Sequence, residues 1–122
     1  MSELADTLRT RLEAASRLPL GQRALNGHDE DFQLDVVGQG PIYVGFEGGT
    51  LTIADGPSPR QEPLRFTRVD VSADTLHQII EGRLSPLQAM ESGRLFLRTR
   101  LYGGALITIL LRAAYDLAHQ AA

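Results

Sequence analysis

The chain of 122 residues contains no cysteine. That removes a disulfide framework and any thiolate metal site. It also contains no lysine, since all 12 basic residues are arginine. We read that first as compositional bias, not as a binding signature. No apolar stretch is long enough to cross a bilayer. Ala105–Leu111 runs for seven residues before Arg112, against about 20 for a membrane-spanning helix. Residues 1–18 carry charge throughout and lack the apolar centre of a secretory signal. Glu3, Asp6 and Glu13 argue against a transit peptide. The expectation is a soluble, cytoplasmic protein.

Catalytic and ligating motifs are equally scarce. His28, His77 and His119 are widely separated and form no HxxxH-type pair. His28, with Asp29 and Asp31, reads as a solvated loop before a strand, and His77 as the exposed side of a helix. No serine sits in a nucleophile elbow. The glycines at 38, 40, 48, 49, 103 and 104 fit no phosphate-binding pattern. Gly103-Gly104 precede a helix, whose N-terminus is able to receive an anion, but a plain turn accounts for them. No catalytic residue, metal or cofactor is expected. Asp35 and Asp70 are the two carboxylates to check as a general base.

The charge that is present is uneven. Residues 1–59 hold four Arg against nine acids, and residues 60–100 hold seven Arg against five, within a net charge of −3. A nucleic-acid binder needs a much stronger basic excess, so no nucleic-acid partner is expected. Arg94, Arg98 and Arg100 alternate and would share one strand face. They read as a solvated face or as a docking surface for an acidic partner or headgroup.

With 43% hydrophobic residues, a chain of this length suits one domain with its own core. Ser2 is placed to cap a helix over 2–18, in which Leu4, Leu8 and Leu12 share a face. Pro19 ends it, and residues 20–29 form a connector with Gly21, Gly27 and room for one helical turn. Four strands are expected within 31–71. Phe32, Leu34 and Val36 alternate with polar residues, as do Ile42, Val44 and Phe46. Gly48-Gly49 then marks a hairpin into Leu51 and Ile53. The fourth strand, Leu64 to Val71, shifts phase, and a bulge near Thr67-Arg68 is expected to absorb the shift. Two short helices follow over 73–92. Ser72 caps the first, Gly82 ends it, and Ser85-Pro86-Leu87-Gln88 is a capping box opening the second. A strand over 94–99 and a helix over 104–119 complete the chain. That last helix is apolar round most of its circumference, so it must be buried on more than one side, by a ligand, a partner chain or another helix.

At this point the sequence resembles the sterol carrier protein 2 family. The likeness is carried by Phe46, Gly48-Gly49, Leu51, Ile53 and Gly56, then by Ser72, Asp74, Leu76, Ile80 and Gly82. Pro86, Ala89, Gly93, Arg94, Leu95 and Leu97 continue it, with the Gly82/Pro86/Ala89/Gly93 spacing its most specific part. The stretch Arg98–Tyr102 departs from the family pattern. The resemblance implies one α+β domain over 1–122, with a mostly antiparallel five-stranded sheet, helices on one face and an apolar tunnel between. It implies non-catalytic binding, transfer or presentation of a lipid of sterol, fatty acyl or isoprenoid type. The expected lining is Phe46, Phe66, Ile80, Leu84, Leu87, Met90, Leu106, Leu110 and Leu111. Transient contact with a membrane or an enzyme and homo-oligomerisation stay open. The rival readings are an accessory or scaffold subunit, with the last helix as the interface of a homodimer, and a small general acid–base enzyme.

Overall fold

The computed structural model describes residues 2–26, 29–98 and 103–121. In chain order the elements are α1 (Glu3–Ser16), α2 (Pro19–Leu25), β1 (Glu30–Val37), β2 (Gly40–Glu47), β3 (Thr50–Asp55), β4 (Phe66–Ser72), α3 (Ala73–Ile80), α4 (Pro86–Glu91), β5 (Leu95–Arg98) and α5 (Gly103–Ala121). The strands form one sheet in the order β3-β2-β1-β4-β5. Three of its four pairings are antiparallel and one, β1 with β4, is parallel.

Local chemistry sets most boundaries. The Ser2 hydroxyl accepts the Ala5 N–H at 3.2 Å, capping α1. The same hydroxyl donates to Asp55 at 2.7 Å, and the Ser2 N–H reaches the other oxygen of that carboxylate. One capping residue thus fastens the first helix to the end of β3. Ser72 accepts from the Thr75 N–H at 3.1 Å to start α3. Ser85 and Gln88 close a reciprocal capping box at 3.1 and 3.0 Å to start α4. Pro19 does more than end α1, because it occupies the first turn of α2, where a missing N–H costs nothing. The expected connector is therefore a helix in its own right.

The fourth strand corrects one expectation. β4 pairs with β1 in unbroken register from Asp31↔Phe66 to Val37↔Ser72, with no bulge at Thr67-Arg68. The apparent phase shift arises because Leu64 lies before the strand, in an exposed turn, at 78% exposure. Regular alternation then puts Thr67, Val69 and Val71 toward the helices, and Phe66, Arg68 and Asp70 on the opposite face.

The helices cover one face of the sheet, and α5 holds them together. It touches α1, α2, α3, α4 and β4. Leu106, Ile107, Leu110, Leu111, Ala113 and Ala114 are each 2% exposed or less. The second buried side of α5 therefore lies against other helices. At its far end Gly82, which ends α3 at φ +78, lies so close to α5 that a Cβ there would meet the His119 nitrogen at 2.4 Å. The Gly82 carbonyl accepts from His119 Nδ1 at 3.0 Å. The His119 ring also stacks on Tyr115, with centroids 5.2 Å apart.

The other sheet face is polar and partly covered by the chain between β3 and β4. Asp31, only 4% exposed, accepts from Tyr43 Oη at 2.8 Å and from two nitrogens of Arg60 at 3.0 Å. Gln33 takes the Ser58 N–H at 3.1 Å and donates to Asp35 at 2.9 Å. Burial, reinforced by the adjacent Asp31 carboxylate, pushes the Tyr43 phenol up. Tyr43 reaches Asp31 by lying over Gly45, where a Cβ would meet the phenolic oxygen at 1.9 Å. Further along the face, Arg68 bonds Asp35 at 2.8 Å and Arg98 bonds Asp70 at 2.7 Å.

Two outcomes follow for stability. Gly45→Ala should displace Tyr43 and cost about 1–3 kcal/mol in urea unfolding. In a Tyr43→Ala background the same change should cost much less, and a double-mutant cycle with no coupling would overturn this packing account. The second outcome concerns Asp35. Burial alone would raise its pKa, but hydrogen bonds from Arg68 and Gln33, with the charges of Arg68 and Arg98, hold it below the ordinary carboxylate range. A lowered folded-state pKa gives stability that is present above the unfolded value of about 4 and lost as pH falls through the folded one. Asp35→Asn should therefore lower the urea midpoint at pH 7 and shrink the loss of stability on acidification below about pH 4.

Candidate functional site

The helical layer carries an apolar groove of about 360 Å³, lined by Leu20, Pro86, Leu87, Thr108, Ile109, Arg112 and Asp116. Three elements build it. Leu20 comes from the first turn of α2, and Pro86 and Leu87 from the first turn of α4. The other four residues form one stripe along α5. The first turns of α2, opened by Pro19, and of α4, opened by the Ser85 capping box, thus bring three apolar side chains to the same stripe. Hydrogen bonds involve the polar residues of the groove. Thr108 donates to the Gly104 carbonyl at 2.8 Å, and Arg112 donates to Asp116 at 2.9 Å. The rest of the lining, Leu20, Pro86, Leu87 and Ile109, is apolar, with Leu87 at 54% exposure. Such a lining suits an occupant with little polarity.

The nine residues expected from sequence separate into three places. Phe46, Ile80, Leu106, Leu110 and Leu111 are fully buried between the sheet and the helices. Leu84 and Met90 are partly buried against that core, and Leu87 opens onto the groove. Phe66 departs from the set. Without the expected bulge it points away from the helices, on the face shared with Asp31. The groove residues Leu20, Pro86, Thr108, Ile109, Arg112 and Asp116 were not expected. Their signal was present as the Ile109/Arg112/Asp116 stripe on α5, but it mixes apolar and charged residues and reads as ordinary helix surface.

A second depression of about 450 Å³ lies on the open sheet face, among Asp35, Val36, Val37, Gly40, Pro41, Asp70 and Arg98. A third, of about 300 Å³, adjoins it through Val37 and Asp70 and includes Arg94 and Phe96. Asp35 and Asp70 both sit on this face, each bonded to a guanidinium, and Asp35 is held easily ionised. A general base at neutral pH needs the opposite tuning. Arg94 precedes β5, Arg98 is paired with Asp70, and Arg100 lies outside the described residues. His77 is half-exposed beside Glu81 at 3.6 Å, and His28 also lies outside the described residues. Among the described residues no group of three or more histidine or carboxylate side chains is placed to hold a metal ion. No described helix is long and apolar enough to cross a membrane.

No protein-family model matches the chain, and no curated protein does so. Solved structures do. The crystal structure of sterol carrier protein 2 superimposes with a TM-score of 0.62 at 16% identity, covering 94% of this chain and 98% of that one. The solution structure of the sterol carrier protein domain 2 of Helicoverpa armigera gives 0.59 at 18% identity, over 91% and 87% of the two chains. A ubiquinone synthesis protein, UbiJ-SCP2, gives 0.60 at 17% identity over 94% of each. These likenesses run through the whole sheet and its helical cover, and the chain has the sterol carrier protein 2 fold.

Proposed function

We propose that the chain binds an apolar molecule of the lipid class without chemical change, and carries it or presents it to another protein. The observation that carries this reading is the groove between α2, α4 and α5, whose lining is mainly apolar and whose Arg112 and Asp116 are paired with each other, above an interior of large aliphatic side chains. The bound molecule lies between the sheet and α5, against Ile80, Met90, Leu106 and Leu110, and the groove at Leu87 is the way in. Removal of apolar area from water, at about 25 cal/mol per Å², supplies the affinity. Met90 adapts to occupants of different shape, since its thioether chain is flexible and polarisable. No side chain is assigned a chemical role. The ion-paired Asp35 and Asp70 support that.

An accessory-subunit reading is favoured by a different observation. Val37 and Phe96 stand 73% and 61% exposed on the open sheet face and line one depression together. Apolar side chains exposed in this way are what a partner surface covers.

Native mass spectrometry of the purified full chain, followed by solvent extraction, tests both. The carrier reading expects a stoichiometric adduct that solvent releases. It also expects Leu87→Asp to weaken uptake of an apolar probe about tenfold, the loss of roughly 1.4 kcal/mol of contact. The variant should keep the wild-type circular dichroism spectrum. A clean mass with no uptake from fatty acids, sterols or isoprenoid quinones would sink the carrier reading, and a dimer in that spectrum would support the accessory one.

A further inference from the structure

Among the described residues, every buried polar side chain but one has a hydrogen-bond partner. Among the described residues, five polar or charged residues are buried: Asp31, Gln33, Ser58, Thr67 and Thr75. Asp31, Gln33 and Ser58 belong to the network on the open sheet face, and Thr75 bonds the Ser72 hydroxyl at 2.9 Å. The exception is Thr67. It is 1% exposed, and its Oγ1 has no hydrogen-bond partner.

Its position makes this informative. Thr67 stands level with Phe32 on β1 and alternates with Val69 and Val71, on the face that the helices cover. Phe32 and Val69 are fully buried. Valine has nearly the same shape, favours strands equally and leaves no hydroxyl to satisfy. A lone hydroxyl in such a place loses its water and gains nothing in return. Packing therefore gives no reason for threonine here.

We infer that the Thr67 hydroxyl receives the polar end of the bound molecule, and that this molecule is neutral, an apolar body with one hydroxyl or carbonyl oxygen. The inference rests on the carrier reading above and adds the ligand's chemistry to it. A threonine hydroxyl both donates and accepts, so an alcohol or a carbonyl satisfies it equally well. An anion is disfavoured. No arginine or histidine is buried among the described residues, and a single hydroxyl does not offset the cost of burying a carboxylate. Both Arg68 and Arg98, the nearest cations along the strands, lie on the opposite face and are paired with Asp35 and Asp70.

The test compares three sixteen-carbon probes, 1-hexadecanol, hexadecane and palmitate, by displacement of diphenylhexatriene from delipidated full chain at pH 8. The wild type should take the alcohol about tenfold more tightly than the alkane, and palmitate more weakly than the alcohol. Thr67→Val should bring alcohol and alkane together, leave the alkane affinity unchanged, and melt at the same or a higher temperature without ligand. Thr67→Ser should keep the alcohol preference. A wild type with no such preference, or one that survives in Thr67→Val, would overturn the inference while leaving the carrier reading standing. Failure of every probe to bind the wild type would overturn both.

Discussion

The structure depends on one buried helix. α5 meets all four other helices and β4, and its apolar residues run round most of its circumference. In this chain of 122 residues the helices cover one sheet face, and each of α1 to α4 meets α5 there. Packing them around α5 lets each bury an apolar stripe against the same rod, so one hydrophobic element serves four partners. The close approach of Gly82 to His119 fixes the far end of that rod, and a side chain at Gly82 would have to push the backbone of α5 away. The Gly82 carbonyl bond to His119 adds direction to what would otherwise be contact alone.

The opposite sheet face is organised by hydrogen bonding. Asp31 collects Tyr43 and Arg60, and Gln33 collects Ser58, so the proline-rich chain after β3 is drawn down onto β1 and β2. A carboxylate this deeply buried is tolerable because a guanidinium and a phenol meet it directly. Toward β4 and β5 the cover ends, and the pairs Asp35–Arg68 and Asp70–Arg98 lie across neighbouring strands instead. Those pairs are partly exposed and contribute little to stability individually. Their effect is to leave the face without an unpaired carboxylate along β1 and β4.

Much of this was legible in the sequence because the signals were local. Ser2, Ser72 and Ser85 each announce a helix start, and Gly82 an end, through hydrogen bonds that reach no further than three residues. The hairpins likewise declare themselves in alternation and paired glycines. The misread parts depend on distant partners. The phase shift at Leu64–Val71 suggested a bulge because nothing in the local pattern shows that the strand begins at Phe66, where pairing with Asp31 begins. That error carried Phe66 into the expected lining. The Asp31–Tyr43–Arg60 cluster spans 29 residues and has no sequence spacing that would announce it. The groove was missed for the same reason, since Leu20, Leu87 and Ile109 come from three helices. The last helix gave the clearest long-range hint, but its pattern left a ligand, a partner and other helices equally able to cover it.

The same arrangement decides where the molecule can open. The sheet is tied by continuous ladders and by the network on its open face, so parting the strands would break many bonds at once. The helical layer is different. α2 has seven residues and α4 six, lengths at which a helix in water is held by its caps and its packing, not by its own hydrogen bonds. Both lie against α5 at the groove. α4 is the less tightly packed of the two on α5, and a segment held by few contacts opens at lower free-energy cost than the core it rests on. An apolar molecule pressing in at Leu87 would therefore meet α4, the more yielding wall of the groove. Beyond it lies an interior in which, among the described residues, the Thr67 hydroxyl is the one buried side-chain polar atom without a partner.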